Sequence, residues 1–523
     1  GIRWQLMTNP RISSTEITPR PRLLTIAASD SSGGAGLHAD AQVAALMAVD
    51  ATVLVSAVTA QSSYGVRAVE PLPLSFAEQQ WQALLLDGPA DAVRVGWLAD
   101  LAQWLRWLTQ KLNKSVVVWD PVLSASQGGL SSTVPSRAEL SAWLACCRVV
   151  TPNRSELAQL AAWLGVRGDE SEQAQALLSC GCHAVVVTGG DEGSDAAVAD
   201  AVTSRVYASA CEGFRGQASV PVFQMQQRRQ PFSVHGSGCH FSAALAAALA
   251  QGQRLYDAVI QAAVCMEQWL QQPSRRDSGY HHIGADRSWH WYQLPAAAWP
   301  AIRSANCPSV EFAKQPTSLG LYGLVDTLDW LGQLLELGVD TLQWRVKQPG
   351  PAYRQQMQQA IECCRQAAVP LYINDDWQAA IELGAYGVHL GQEDLASADL
   401  SAIAKAGLRL GISTHTDFEV LRAWQLRPSY IAFGPVHPPL SKQLKYPPLG
   451  YSSLSRWWQA LRPHLPLTCI GGITEDNISD VLACGVDSCA IVTALRPDAD
   501  LVERHASIRA LWPRVTAKAL EIV

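Results

Sequence analysis

Eight short strand-like runs follow one another through the back of the chain: LGLYGLVD (319–326), TLQWRVK (341–347), PLYINDD (370–376), GVHLGQED (387–394), RLGISTH (409–415), YIAFGPV (430–436), LTCIGGI (467–473) and SCAIVTAL (488–495). Their starts lie 17 to 37 residues apart, room for one helix in every gap. Eight βα units in about 200 residues is the count and size of a (β/α)8 TIM barrel. Polar residues gather where these runs end: Asp326, Arg345, Lys347, Asn374, Asp375, Gln392, Asp394 and Ser413. The carboxyl ends of the strands are the face on which barrels build active sites.

The front of the chain reads as a second α/β domain. TVLVSAVTA, SVVVWD, RVVTPN and AVVVTGG are short, β-branched and end in small or polar residues, the pattern of parallel strands buried on both faces. The organisation expected is a tail over 1–22, an α/β domain over 23–288, a Pro/Ala-rich linker over 289–318 and the barrel over 319–523.

Composition narrows the function. The 523 residues carry 40 Lys+Arg against 46 Asp+Glu, a net charge of −6 with no basic block, so neither nucleic acid nor an anionic membrane is the expected partner. Hydrophobic content of 48 % against 16 % charged supplies large cores and excludes general disorder. No apolar run approaches the ~18 residues that span a bilayer. The first 22 residues lack the apolar stretch of a signal peptide. Thirteen cysteines, irregularly spaced, read as reduced thiols of a cytoplasmic protein rather than as a disulfide or zinc framework. The 19 scattered tryptophans read as packing residues.

In the front domain, Gly236-Ser237-Gly238-Cys239 opens a long Ala-rich helical stretch. Glycines at a helix start leave backbone N–H groups outward, and with the helix dipole they form an anion hole suited to a phosphate in transfer. Cys239 in the first turn is where a thiolate is favoured and the pKa falls. A bare GSG also serves as a plain helix cap over a buried thiol. Ser29-Asp30-Ser31-Ser32-Gly33-Gly34-Ala35-Gly36 follows the first strand, and Asp120 ends another. Asn153 and Glu156 set an amide and a carboxylate one turn apart near a strand end, a pair that suits Mg²⁺ beside a nucleotide phosphate.

SDSSGGAGLHAD, Gln61 in VTAQ, DPV at 120–122, TPNRSE and HGSGC together resemble the hydroxymethylpyrimidine kinase/hydroxymethylpyrimidine phosphate kinase family of thiamine biosynthesis, within the ribokinase-like superfamily. The resemblance covers about residues 23–270 and implies ATP as phosphoryl donor. It makes Cys239 the base for the substrate hydroxyl and Gly236, Ser237 and Gly238 the anion hole. It sets Gln61 against the aminopyrimidine edge and Asp30 on the substrate side. One departure stands out. The family carries Lys-Gly-Gly after its late strand, and this chain has Thr188-Gly189-Gly190, so a cation near the triphosphate is missing.

In the barrel, Gln343, Arg345 and Lys347 alternate, and a period of two puts all three on one strand face, the interior. Two cations and an amide at one mouth suit a diphosphate. Asn374-Asp375 and Asp394 bring carboxylates to the same mouth, which implies Mg²⁺ between them and the diphosphate. Gly471-Gly472 and Thr493 stand where barrels cradle a second phosphate. Two anion positions imply two phosphorylated substrates.

This half is similar to thiamine phosphate synthases: GLYGLVD, TLQWRVK, YINDDW, YGVHLGQEDL, GISTH, SYIAFGPV and IGGIT line up over 319–495. That family joins hydroxymethylpyrimidine diphosphate to a thiazole phosphate and releases pyrophosphate. The resemblance implies that Gln343, Arg345, Lys347, Asn374 and Lys442 contact the pyrimidine diphosphate, that Asp375 and Asp394 hold Mg²⁺, and that Ser413 lies by the pyrimidine. It assigns Gly472 and the Val492-Thr493 backbone to the thiazole phosphate. After the sixth strand the family has Pro-Thr-x-Thr-Lys; here Pro438-Pro439-Leu440-Ser441-Lys442 loses one hydroxyl and keeps the other as Ser441, on the substrate side.

A bifunctional enzyme performing consecutive steps is therefore expected. Its substrates would be hydroxymethylpyrimidine and its phosphates, a thiazole phosphate and ATP, with Mg²⁺. Two other readings stay open: a pyridoxal-type kinase in front, or one half degenerate and kept as a ligand sensor. Homo-oligomerisation is left open by the sequence.

Overall fold

The computed structural model describes residues 19–123, 133–189, 201–209, 222–228, 236–271, 283–304, 306–438 and 446–512. The chain divides into two compact units: Gly1–Thr188 with Gln230–Ala258 and Cys265–Ser288, and Gly189–Arg229 with Val259–Val264 and Trp289–Val523. All twelve cysteines among the described residues are free thiols. Among those residues no helix is long and apolar enough to cross a membrane.

The first unit is a wound sheet. Its strands are β1 (Arg22–Asp30), β2 (Asp50–Ser62), β3 (Gly65–Pro71), β4 (Ala92–Val95), β5 (Val117–Trp119), β6 (Cys147–Val150) and β7 (Ala184–Val187). They lie in the order β7-β6-β5-β4-β1-β2-β3. Every pairing from β7 to β2 is parallel, and β3 returns antiparallel on β2. β4, β5 and β7 are buried along their whole length, as strands covered by helices on both faces must be. The expected strands TVLVSAVTA, SVVVWD, RVVTPN and AVVVTGG fall on β2, β5, β6 and β7. The Ser237–Ala250 helix is buried from His240 to Ala250, and its run of alanines lets it lie close against the sheet.

In the second unit β8 (Ala201–Ala208), β9 (Phe223–Arg228) and β10 (Ala301–Arg303) pair antiparallel. Beyond them a closed barrel of eight parallel strands runs in chain order. These are β11 (Leu321–Val325), β12 (Thr341–Trp344), β13 (Leu371–Asn374), β14 (Gly387–Leu390), β15 (Arg409–Thr414), β16 (Tyr430–Phe433), β17 (Leu467–Ile470) and β18 (Cys489–Ile491). Each coincides with one of the eight runs in the sequence.

The segment expected as a linker is packed rather than loose. It contains β10, and Trp291 is buried and donates to Asp417 Oδ1 at 2.6 Å. Gln315 lies at the amino end of the barrel with 1 % exposure, accepting from Tyr372 at 2.7 Å and Tyr386 at 3.1 Å. Aromatic and amide side chains inside a Pro/Ala-rich stretch are what fix it there, because each gives up water for a defined partner.

Tyrosines fill the barrel because glycines leave them room. Tyr430 pairs across strands with Gly411 and Tyr372 with Gly387. A Cβ on Gly411 would stand 2.1 Å from Tyr430 Cζ, and one on Gly387 would stand 2.6 Å from Tyr372 Cε1. Tyr322, Tyr372 and Tyr430 then meet at centroid distances of 4.9 to 6.3 Å, tilted or edge to face. Gly411→Ala should therefore destabilise the protein by about 1–3 kcal/mol through overpacking. Gly332→Ala, on the Leu328–Leu337 helix with open space around it, should be neutral or stabilising by up to about 1 kcal/mol. Denaturant unfolding of the two variants beside the parent chain measures both.

Candidate active sites

In the first unit the glycine-rich turn after β1 and the start of the Ser237–Ala250 helix abut. Gly236 is the N-cap, with φ of 75°, and a Cβ there would stand 2.2 Å from Gly34 O. Gly36, with φ of 59°, would put a Cβ 2.3 Å from Ala28 O. Both positions require glycine on conformation and on space. Asp30, 3 % exposed, holds the turn: its carboxylate accepts from Ser32 N and Oγ at 2.8 Å and from Ala35 N at 2.9 Å. Ser237 and Gly238 are exposed at the helix start. Gln61, at the far end of β2, donates its backbone N–H to Ser31 Oγ at 2.8 Å, and the same hydroxyl donates to the Gln61 carbonyl at 2.6 Å. Asp30, Gln61 and Gly236 thus border one turn.

Beneath that turn lies a charge cluster that sequence reasoning missed. Arg94, in the middle of β4, has no exposed surface. It reaches Asp40 Oδ2 at 3.0 Å, Asp120 Oδ2 at 2.6 Å and Ser242 Oγ at 3.1 Å. Thr25 donates to the same Asp40 oxygen, and Asp40 Oδ1 makes no hydrogen bond. Gly96 has no Cβ where one would meet the guanidinium at 2.2 Å. The signal available was an arginine inside the apolar run AVRVGW.

Cys239 faces this cluster, and its expected low pKa is overturned. Burial pushes the thiol up to about 11; Arg94 and the Gly36 N–H pull it down, while Asp120 and Asp40 add to the rise. The helix N-terminus and one cation do not offset desolvation beside two carboxylates. For Arg94, burial works against the charge, yet Asp40, Cys239 and Asp120 hold its pKa raised.

The pair read as suited to Mg²⁺ has a structural task. Asn153 Oδ1 accepts from Glu156 N at 2.8 Å and Glu156 Oε2 accepts from Asn153 N at 2.9 Å, a capping box on the Arg154–Trp163 helix. Thr188 bridges to Asn153 at the end of β7, its N–H on Pro152 O at 3.0 Å. Asn153, Glu156 and Thr188 are therefore brought together at adjacent strand ends.

At the barrel mouth, β12 ends at Trp344, so the two-residue period reaches only Gln343. Arg345 and Lys347 lie past the strand and are exposed, which corrects the expectation that all three share one strand face. Gln343 is buried and donates to the Tyr322 hydroxyl at 3.1 Å. Arg345 still acts on the mouth, where its charge lowers the pKa of Asp375. Asp375 adopts φ of 63°, the left-handed region, directly after β13, and Asn374 Nδ2 donates to its Oδ2 at 2.7 Å. Desolvation, then the Asp394 charge and a hydrogen bond shared with Asp394, push its carboxyl up to about 6.

Two carboxylates drawn this close are a donor set that suits a divalent cation. Among the described residues, no group of three or more His, Cys, Asp or Glu side chains is placed to hold a metal, so Asp375 and Asp394 are a pair that needs further oxygens from substrate and water.

Ser413, on β15, bonds to His389 Nε2 at 2.7 Å, and Gln392 Nε2 fixes its carbonyl at 2.7 Å. His389 is buried and its pKa is lowered to about 3, by desolvation first and then by Arg345 and His415. His389 was not singled out from sequence, although its inward phase in GVHLG was readable. At β17, Gly471 and Gly472 have φ of 113° and 64°, and Asn477 Nδ2 donates to Gly472 O at 2.7 Å. Val492 and the Thr493–Leu495 turn follow β18, with Val492 and Thr493 exposed. Lys442, Ser441 and Pro439 lie outside the described residues.

The two units thus pair a wound α/β sheet, with a glycine-lined helix start, with a parallel α/β barrel that carries a carboxylate pair at its mouth. The thiamine monophosphate synthase family model matches residues 321–495, and the phosphomethylpyrimidine kinase model matches residues 30–283. The thiamine-phosphate synthase of Photorhabdus laumondii is 45 % identical over 219 residues, covering 42 % of this chain and 96 % of that protein. Among solved structures, the pyridoxal kinase of Staphylococcus aureus in complex with ADP is 24 % identical, covers 51 % of this chain and 94 % of its own, and has a TM-score of 0.43. A phosphomethylpyrimidine kinase from Clostridium difficile is 22 % identical, covers 48 % and 99 %, and has a TM-score of 0.38. The chain belongs to the thiamine-phosphate synthase family through its barrel and carries a phosphomethylpyrimidine kinase domain in front of it, a bifunctional enzyme of thiamine biosynthesis. Neither the pyridoxal-type kinase nor the sensor reading is favoured.

The raised thiol has a direct consequence. Alkylation of Cys239 by iodoacetamide, followed by peptide mass spectrometry, should track a thiolate population with its midpoint near 11. A midpoint at or below 9 would show that the helix terminus governs the thiol after all.

Proposed function

We propose that the front unit phosphorylates 4-amino-5-hydroxymethyl-2-methylpyrimidine twice from ATP·Mg²⁺, and that the barrel couples the resulting diphosphate to 4-methyl-5-(2-phosphoethyl)thiazole. The observation that carries the reading is the Asp375–Asp394 pair at the barrel mouth, with Arg345 acting on it. β13, which precedes Asp375, and β17, which precedes the left-handed Gly471-Gly472 turn, lie four strands apart in the eight-stranded barrel, which supports a diphosphate end and a phosphate end at one mouth. The proposed units follow the expected bounds, 23–288 for the kinase and 319–523 for the synthase, in a cytoplasmic protein with free thiols.

In the kinase unit, Gly236, Ser237 and Gly238 present backbone N–H groups to the phosphoryl group in transfer. Gln61 reads the aminopyrimidine edge and Asp30 holds the turn that borders it. Cys239 faces the substrate hydroxyl. As a base it works from the ionised fraction, which Arg94 favours and burial opposes, so its kinase rate rises with pH through the alkaline range. Thr188, with Asn153 and Glu156, lies on the nucleotide side.

In the barrel, Arg345, Lys347, Asn374 and Lys442 bind the diphosphate, with Ser441 beside it, and Asp375 and Asp394 would hold Mg²⁺. When bound there, it would supply counter-charge to the departing pyrophosphate. Gln343 and Ser413 orient the pyrimidine. Its electron-rich ring supports the positive methylene carbon left as the C–O bond breaks. Gly472 with the Val492-Thr493 backbone holds the thiazole phosphate, so the ring nitrogen is close enough to form the new C–N bond. No covalent enzyme nucleophile takes part.

Separated defects test the reading. A Cys239→Ala chain should lose about 10²-fold or more in kinase turnover, the range for a lost general base. It should still make thiamine phosphate when given the pyrimidine diphosphate. An Asp375→Asn chain should do the reverse and accumulate the diphosphate. Product analysis by mass after mixing the two should show synthesis from the alcohol restored. An Asp375→Asn chain unable to make the diphosphate would refute a separate kinase site.

A further inference from the structure

The barrel holds a continuous hydrogen-bonded relay that no step above uses. Gln343 Nε2 donates to the Tyr322 hydroxyl at 3.1 Å. The hydroxyls of Tyr322 and Tyr430 are 2.8 Å apart, Tyr430 is 2.6 Å from His389 Nδ1, and His389 Nε2 is 2.7 Å from Ser413 Oγ. Gln343, Tyr322, Tyr430 and His389 are exposed by 3 %, 1 %, 0 % and 7 %. The imidazole stacks on the Tyr430 ring at 5.6 Å and 23°. The chain of bonds thus joins β12, β11, β16, β14 and β15, and its two ends are the two side chains assigned to the pyrimidine.

Proton counting gives the relay a direction. A tyrosine hydroxyl has one proton. Tyr322 already accepts from the amide, so its own proton goes to Tyr430. Tyr430 then gives its proton to His389 Nδ1. A neutral imidazole whose Nδ1 accepts carries hydrogen on Nε2 and donates to Ser413 Oγ. The Ser413 proton is left for a partner outside the relay.

We propose that the relay runs one way, from the Gln343 amide to Ser413, so that Ser413 presents its O–H to a hydrogen-bond acceptor, a ring nitrogen of the aminopyrimidine, with His389 and Tyr430 as positioning residues. This rests on the reading that Ser413 lies beside the pyrimidine. It adds a specificity rule to that reading. A ring with an acceptor at this point is matched. A ring presenting N–H there, as the 4-oxo tautomer does, meets donor against donor and leaves a buried polar group unpaired.

Two measurements on the full chain test it. With ¹⁵N-histidine labelling, the resonances absent from a His389→Gln chain identify His389 in the unmodified protein. Nε2 should show the protonated, pyrrole-type shift and Nδ1 the unprotonated one; the reverse overturns the direction. In the coupling reaction, Ser413→Ala and Tyr430→Phe should each raise the KM for the pyrimidine diphosphate by about tenfold, the scale of one hydrogen bond. The double variant should be no worse than Ser413→Ala. A Tyr430 that merely packs the barrel would add its loss to that of Ser413→Ala, and additivity overturns its positioning role. Should Tyr430→Phe fail to fold, the histidine resonances still decide the direction. An unchanged KM in Ser413→Ala would instead remove Ser413 from the pyrimidine and sink the recognition rule, whichever nitrogen carries the proton.

Discussion

Parallel pairing brings the carboxyl end of every strand to one edge of a sheet, and both units put their reactive groups there. In the wound sheet this edge carries Asp30 at the end of β1, Asp120 after β5 and Asn153 after β6. In the barrel it carries Arg345, Asp375, Asp394 and Gly472. The strands are buried on both faces and have no other place for such side chains. Arg94 breaks that rule: it sits inside β4 without exposure and survives only because Asp40 and Asp120 share its charge at 3.0 and 2.6 Å. Removing one partner from a cluster of this kind costs several kcal/mol, whereas a well-packed apolar replacement of the whole often costs little. The cluster lies against Cys239, whose thiol interacts with Arg94.

The same economy of space shapes the barrel. Three tyrosines meet in its interior, and two of them rest against glycines on the neighbouring strand. Burial raises the Tyr322 and Tyr430 hydroxyl pKa values, so both keep their protons. Polar hydroxyls without water must pair with one another, with Gln315 below or with Gln343 and His389 above. The packing choice of tyrosine with glycine thereby determines the hydrogen-bonding that reaches the mouth.

Architecture was legible because period and spacing are properties of the strands themselves. Eight runs gave eight barrel strands, and the front domain's β-branched runs gave β2, β5, β6 and β7. Side-chain roles were less legible, for identifiable reasons. The alternation of Gln343, Arg345 and Lys347 extends past Trp344, where pairing stops, and a period has no meaning beyond its strand. Asn153 and Glu156 have the spacing of a capping box as well as that of a metal pair, and local hydrogen bonds form without any ligand. Cys239 has the helix-start setting that lowers a thiol pKa, but burial reverses the sign, and Asp120 and Asp40 from distant segments add to the rise. His389 and Tyr430 are 41 residues apart and become partners only when the barrel closes.

Both sites must manage phosphate charge, and they do so with opposite electrostatics. The front unit keeps Asp40 and Asp120 sealed around Arg94, beneath the helix start that carries Cys239. The barrel leaves its carboxylates at the mouth, where burial first, and then the neighbouring Asp394, raise Asp375 to about 6. A divalent cation would offset that crowding while bound. A site of the first kind holds an anion through dipoles that do not change during transfer. A site of the second kind changes its charge balance as ions bind and leave. The difference follows from the chemistry each performs, transfer onto a bound hydroxyl in one and departure of a diphosphate in the other.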